Sequence, residues 1–195
     1  MSVDFIFDIE TLGKTDGCVL LSFGILPCPE DLTKEYSIEE LTNSGLYVKL
    51  NREEQIKYGR SVEQETVDWW SKQDKAARLV LSNDNLTDNV FAYFMVRKFM
   101  FDNGLDKNSK IWSRGMIDQR WWQSWNMSCQ KMNSDVVDFL GFWLWRDIRT
   151  ALELMTGNPN GNISINDVSK NIIKHNALSD CILDFYRFQE AVNNV

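Results

Sequence analysis

Apolar residues crowd the opening stretch VDFIFDIETLG, where Val3, Phe5, Ile6, Phe7 and Ile9 predict a strand that ends before Gly13. CVLLSFGILPC, residues 18–28, is a second apolar run, stopped by Pro27 and Pro29. GLYVKL, residues 45–50, alternates as a third strand, with a hairpin or meander as the natural connection. The period then changes. VEQETVDWWSKQDKAARLVL, residues 62–81, spaces Val67, Trp70 and Ala77 among charges as a helix does. DNVFAYFMVRKFMFDNG, residues 88–104, predicts a longer helix closed by Asn103 and Gly104. KIWSRG predicts a short strand, IDQRWWQSWNMSC and RDIRTALELMTG predict helices, and GNPNGNIS, residues 157–164, is a loop by composition. The closing HNALSDCILDFYRFQEAVNN carries Ala177, Cys181, Leu183, Phe185 and Phe188 on a helical stripe. Three strands followed by helices alternating with short strands predict an α/β fold, one mixed central sheet flanked by helices. No repeat or linker divides the 195 residues, so a single domain over 1–195 is expected.

Composition adds exclusions. A chain that is 44% hydrophobic and 25% charged is ordinary for a soluble domain, although eight Trp and 11 Phe mean that large flat side chains dominate its packing. The net charge of −7 gives no bulk attraction for nucleic acid, which argues against a passive coat protein and leaves room for an enzyme with local cations. Cys18, Cys28, Cys129 and Cys181 are scattered without a C-x-x-C pair, so free thiols in a reducing compartment are expected. No basic n-region precedes an apolar core and no run is long enough to span a membrane, so the expected location is the cytoplasm, without membrane partners.

The candidate chemistry starts with Asp8 and Glu10. Residues two apart on a strand face the same way, roughly 6.5–7 Å apart. The two carboxylates therefore project together, with Ile9 turned to the opposite face. Crowded carboxylates repel, and a hard divalent cation relieves the repulsion; for the tripeptide alone a solvated strand end is the plainer reading. His175 is the only histidine. It stands five residues before Asp180, so the two can share a site only if His175 lies in a loop and Asp180 in the helix that follows. An imidazole of near-neutral pKa beside an attacking water is the obvious general base. A surface histidine ahead of a helix whose aspartate stabilises its start is the plainer reading of the same residues. In WSRGMIDQRWW, Asp118 opens a helix after a short strand and a glycine, which would bring a further carboxylate to the sheet's end; taken alone, an ordinary helix-start acid is the plainer reading.

Taken together, DIET at 8–11, Asp118, and His175 with Asp180 as H-x-x-x-x-D resemble the motifs of the DnaQ-like (RNase H-fold) 3′→5′ exonucleases of the DEDDh type. Within that superfamily the chain looks most like the bacteriophage exodeoxyribonuclease A group. The echoes are FDIETLG, TVDWWSKQDKAAR at 66–78, WSRGM at 112–116, WRDIRT at 145–150 and HNALSDC at 175–181. The middle motif departs from the family pattern, because Ile117 rather than an aromatic precedes Asp118; Asp135 and Asp138 are the alternatives, without an adjoining strand.

The resemblance implies two Mg²⁺ or Mn²⁺ ions held by Asp8, Glu10, Asp118 and Asp180, with His175 as the base. It also implies terminal-nucleotide contacts from Thr11, Leu12 and Gly13, with Leu12 as a wedge under the base. Arg114 and Arg120 are the phosphate candidates, and Arg146 and Arg149 are read as structural. Of the tandem tryptophans, most are expected in the core, with one of Trp69 and Trp70 more exposed. The implied substrate is nucleic acid with a free 3′ end, single-stranded DNA ahead of RNA, and relatives that dimerise make a homodimer admissible. A non-catalytic phage or host-interaction protein on an exonuclease scaffold is the alternative of a different class.

Overall fold

A computed structural model of the chain describes residues 2–165, 168, 170 and 172–193. Among them six strands form one sheet: β1 (Phe5–Thr11), β2 (Leu20–Pro27), β3 (Leu46–Leu50), β4 (Leu86–Thr87), β5 (Ile111–Ser113) and β6 (Trp145–Asp147). Their spatial order is β4-β3-β2-β1-β5-β6, with β2 antiparallel to both its neighbours and the other pairings parallel. The helices are α1 (Ile38–Ser44), α2 (Arg52–Lys57), α3 (Gln64–Ser71), α4 (Asn89–Asp102), α5 (Ile117–Met132), α6 (Ile148–Thr156) and α7 (Ala177–Asn193). The mixed sheet flanked by helices agrees with the expected fold class.

The alternation of β1 sorts the layers. Phe5, Phe7 and Ile9 point into a core shared with α4 and α5, whereas Ile6 packs on the other face with Cys181, Ile182 and Phe185 of α7. Asp8 and Glu10 share that second face by the period of two. Phe7 sits 5.6 Å from the Trp122 ring, 5.5 Å from Trp145 and 5.7 Å from Phe23, measured between ring centroids. Aromatic pairs of this kind add about 0.5–1.5 kcal/mol each beyond the area they bury. They tie β1 to β2, β6 and α5, and so fix the start of α5 relative to the carboxylates of β1. On the opposite face α7 lies directly on β2 at Gly24, where a Cβ would stand 2.1 Å from the Ala177 carbonyl carbon. Only a glycine lets the helix come that close.

Three expectations need correction. The first three strands do not follow one another directly, because α1 separates β2 from β3. It buries only Leu41, too little for a periodic signal, and it is specified instead by a capping box between Ser37 and Glu40. The region 62–81 is not one helix. It breaks after Ser71 into α3 and a 3₁₀ turn at Ala77–Leu81, and both pieces bury apolar residues against Leu12, Val19 and Leu21. The helix expected from Arg146 begins at Ile148, since Trp145–Asp147 pair with β5 as the edge strand.

Candidate active site

β1 and β5 run parallel, and their carboxyl ends, with the N-termini of α5 and α7, meet at one place. Asp8 and Glu10 are half-buried on the last turns of β1. Asp118, 3% exposed, follows β5 in the first turn of α5. The backbone of Ile9 stands close enough to the Asp118 carboxylate to favour its charged form. The turn that brings it there requires Gly115, at φ +100°, whose N–H donates to Asp147 at 3.1 Å.

Asp180 lies in the first turn of α7, and His175 precedes the helix in a left-handed conformation with φ of 59°. A non-glycine residue there costs on the order of 1 kcal/mol, and such strain concentrates at functional sites. It is held by the His175 N–H, which donates to Asp180 Oδ2 at 3.1 Å. The imidazole packs edge-on against Trp69, with ring centroids 4.8 Å apart. One donor atom from each of Glu10, His175 and Asp180 lies within 4.8 Å of the other two.

The electrostatics are those of acids without a counterion. Burial, followed by repulsion from Asp118, Glu10, Asp180 and Asp184, holds the Asp8 carboxyl well above its ordinary value. Burial and the charges of Asp180 and Asp118 push Glu10 up to about 8. Asp118 rises to about 8 through burial, against the nearby backbone of Ile9 and the attraction of Arg149. Asp180 rises to about 7 through burial and the charge of Asp184. Burial, with Lys174 adding a smaller repulsion, lowers His175. A cluster of oxygen donors that resists ionisation for want of positive charge fits a hard divalent cation. Glu10, Asp180 and His175 have the spacing to share one such ion, and Asp8 and Asp118 are close enough to the other acids to be repelled by them.

A cleft of about 520 Å³ opens beside Glu10, lined among others by Thr11, Gly13, Lys14, Trp69 and Trp121. Leu12 is not part of this lining; at 7% exposure it belongs to the small core under α3. Arg120 is also displaced from the site, exposed on α5 and paired with Asp16 at 2.9 Å. Arg114 does lie beside the acids, bonded to Asp184 at 2.8 Å. Asp135 and Asp138 do not replace Asp118: Asp135 is exposed, and Asp138 accepts hydrogen bonds from Leu140 N–H and the Trp122 indole. Of the tandem tryptophans Trp70, Trp122 and Trp145 are buried, Trp121 is half-buried and Trp69 and Trp143 are exposed, so the expected split of Trp69 and Trp70 holds but fewer of the others lie in the core than expected.

The sequence reading missed Asp184 and Arg187, which lie on the inner face of α7 next to Asp180; the i, i+4 spacing of Asp180 and Asp184 was the available signal. Arg149, read as structural, does pair with Asp147 at 3.7 Å, and its guanidinium also crosses Gly115 and bears on Asp118.

Residues 3–190 match the family described as the 3′-5′ exoribonuclease Rv2179c-like domain. The chain belongs to that family. It is therefore an enzyme, a 3′-5′ exonuclease, and the non-catalytic scaffold reading is set aside. No curated protein matches the exonuclease by sequence. Among solved structures it is similar to the nuclease domain of 3′hExo, a DEDDh family member bound to rAMP. The TM-score is 0.60 over 99% of this chain and 92% of that one, at 9% identity, so the two share a fold. Among the described residues no helix is long and apolar enough to cross a membrane.

Proposed function

We propose that this exonuclease removes nucleoside 5′-monophosphates one at a time from the 3′ end of single-stranded nucleic acid. RNA leads as substrate and DNA follows. The observation that carries the reading is the convergence of Asp8, Glu10, Asp118, Asp180 and His175 at the end of β1, with carboxyls kept near neutrality by burial and mutual repulsion. RNA is favoured by the description of the family to which the chain belongs. DNA is the second reading, on the motifs shared with the bacteriophage exodeoxyribonuclease A group.

Two divalent ions, Mg²⁺ or Mn²⁺, would neutralise the four carboxylates and polarise the scissile phosphodiester when bound. The chain's own residues do the rest. His175, kept neutral by its lowered pKa, accepts the proton of the attacking water. Trp69 and Trp121 flank the terminal base, and Thr11 and Gly13 line the floor of its cleft. Matched 3′-ended RNA and DNA oligonucleotides, each incubated with Mg²⁺, Mn²⁺ or EDTA and resolved by length, test the proposal. Stepwise shortening from the 3′ end with metal is expected, faster on RNA; no degradation of either polymer would overturn the function, and faster loss of DNA would reverse the substrate order.

A further inference from the structure

Also at the acids lies a second, smaller recess of about 260 Å³, lined among others by Asp8, His175, Asp180, Arg114, Lys174, Asp184 and Arg187; its His175 ring packs on Trp69 of the aromatic cleft. Its centre is an unusual ion cluster. Asp184, 5% exposed, accepts from Arg114 Nη1 at 2.8 Å and from Arg187 Nη1 at 2.6 Å through the same oxygen, Oδ1. One buried carboxylate needs one arginine to be neutral. The second guanidinium is left to face Asp180 and the open recess, and Lys174, exposed on the rim, adds a third cation. Each guanidinium carries five N–H donors in a planar fork. Among the described residues, hydrogen bonds engage Nη1 of Arg187, and Nη1 and Nη2 of Arg114, the latter with Asn162 at 3.4 Å. Planar forks with donors to spare, in a chain whose net charge is −7, are suited to phosphate oxygens.

The two recesses differ in chemistry and meet at the carboxylates, Glu10 facing the first and Asp8 and Asp180 the second. The first, a cleft of about 520 Å³ walled by Trp69 and Trp121, suits a base and sugar; the second, with three cations and no tryptophan, suits backbone. Cleavage at a 3′ end places the terminal nucleoside and the upstream backbone on opposite sides of the scissile phosphorus. We infer that Arg114, Arg187 and Lys174 bind the phosphate immediately 5′ to the scissile one, and that Asp184 is the positioning residue that holds the two arginines together. The inference rests on the proposed exonuclease reading and adds the direction in which the strand crosses the site.

The test is a substrate carrying a neutral methylphosphonate at the linkage one step 5′ of the scissile bond, compared with the all-phosphate strand and with a methylphosphonate several linkages further upstream. For the wild-type enzyme the near substitution is expected to lower kcat/KM about tenfold or more, the loss of a charge-assisted contact, and the distant one little. Lys174→Gln and Arg187→Gln are expected to slow the all-phosphate strand and to shrink the near-substitution penalty, whereas Arg187→Lys retains part of it. Each lost phosphate contact should also flatten the salt dependence of KM by about 0.7 in log–log slope. Lys174 is exposed, so its variant reports even where Arg187→Gln disturbs the fold. A near penalty no larger than the distant one, or one unchanged in both Gln variants, would overturn the inference: arginines with a purely structural role would slow both substrates equally. If the wild-type enzyme cleaves no unmodified strand, the exonuclease reading itself fails; if it cleaves without discriminating, only the phosphate subsite does.

Discussion

Asp118→Asn separates the cost of the acid cluster from its use. The carboxyl has an ordinary value of 3.8 and about 8 in the fold, so the folded protein binds that proton more tightly than the unfolded chain does. Its contribution to stability is therefore intact below the unfolded value and is lost as pH climbs through the window to the folded one. A rise of roughly four, at about 1.36 kcal/mol each, sets an upper limit on the order of 5 kcal/mol by pH 8. Asp8, Glu10 and Asp180 share the same repulsion, so one neutralisation recovers a fraction, about 1–2 kcal/mol, because neighbours in a network are not additive. Asparagine keeps an oxygen toward the Ile9 backbone. For a chain of this length that corresponds to a Tm about 3–8 °C above wild type near pH 8 without metal, and a smaller difference near pH 5. Adding Mn²⁺ should raise the wild-type Tm and leave the variant, missing one ligand, behind. Thermal melts of EDTA-treated protein at both pH values, repeated with Mn²⁺, check this. A metal-free variant no more stable than wild type near pH 8, or equal stabilisation of both by Mn²⁺, would refute the reasoning.

His175→Ala is expected to lower kcat by about 10²–10⁴-fold with KM little changed, the loss of a general base, read in single-turnover cleavage. Trp69→Ala should weaken binding of the terminal nucleotide about tenfold, from loss of one stacking face, seen as a raised KM on short oligonucleotides. Gly24→Ala would place a methyl 2.1 Å from the Ala177 backbone and push α7 off the sheet, so both Tm and cleavage should fall. Gly17→Ala, where a Cβ meets nothing within 4 Å, is the control and should leave both unchanged.

The sequence made the centre of the fold legible because its strongest signals are local. β1 could be read from aromatic and β-branched density, and the same-face placement of Asp8 and Glu10 from a period of two. The need for His175 in a loop and Asp180 in a helix followed from helical geometry alone, and the structure places them so. What stayed hidden depends on distant partners or on caps. α1 has one buried apolar residue and a capping box, and α2 buries Gln55, whose amide bonds both the N–H and the carbonyl of Leu20. Leu12 follows the acids in sequence and yet turns into the core, since the register of β1 shifts between Glu10 and Thr11 and the strand ends at Thr11, so the period of two no longer holds Leu12 on the face of Glu10. Arg120 was near Asp118 in sequence only: two residues along a helix rotate a side chain by about 200°, which takes it to the solvent side.

The same rotation explains why the cations of this acidic chain come from elsewhere. Four residues along α7 bring Asp184 back under Asp180, and three more bring Arg187 beside it, while Arg114 arrives from the end of β5. Asp184 adds a fifth negative charge to a site that already holds too many, and it raises Asp8, Asp118 and Asp180 further. On grounds of stability alone an apolar residue would serve better there, because breaking even with a buried ion pair is the best such a group usually achieves. Its presence is accounted for if the two guanidiniums must be held within one oxygen's reach of each other against their own repulsion. Asp184→Asn therefore distinguishes the two roles: it relieves the acids, as Asp118→Asn does, but it frees the arginines to separate. Metal-free Tm should rise or hold while the penalty for a neutral upstream linkage falls, a combination that a merely structural aspartate would not produce.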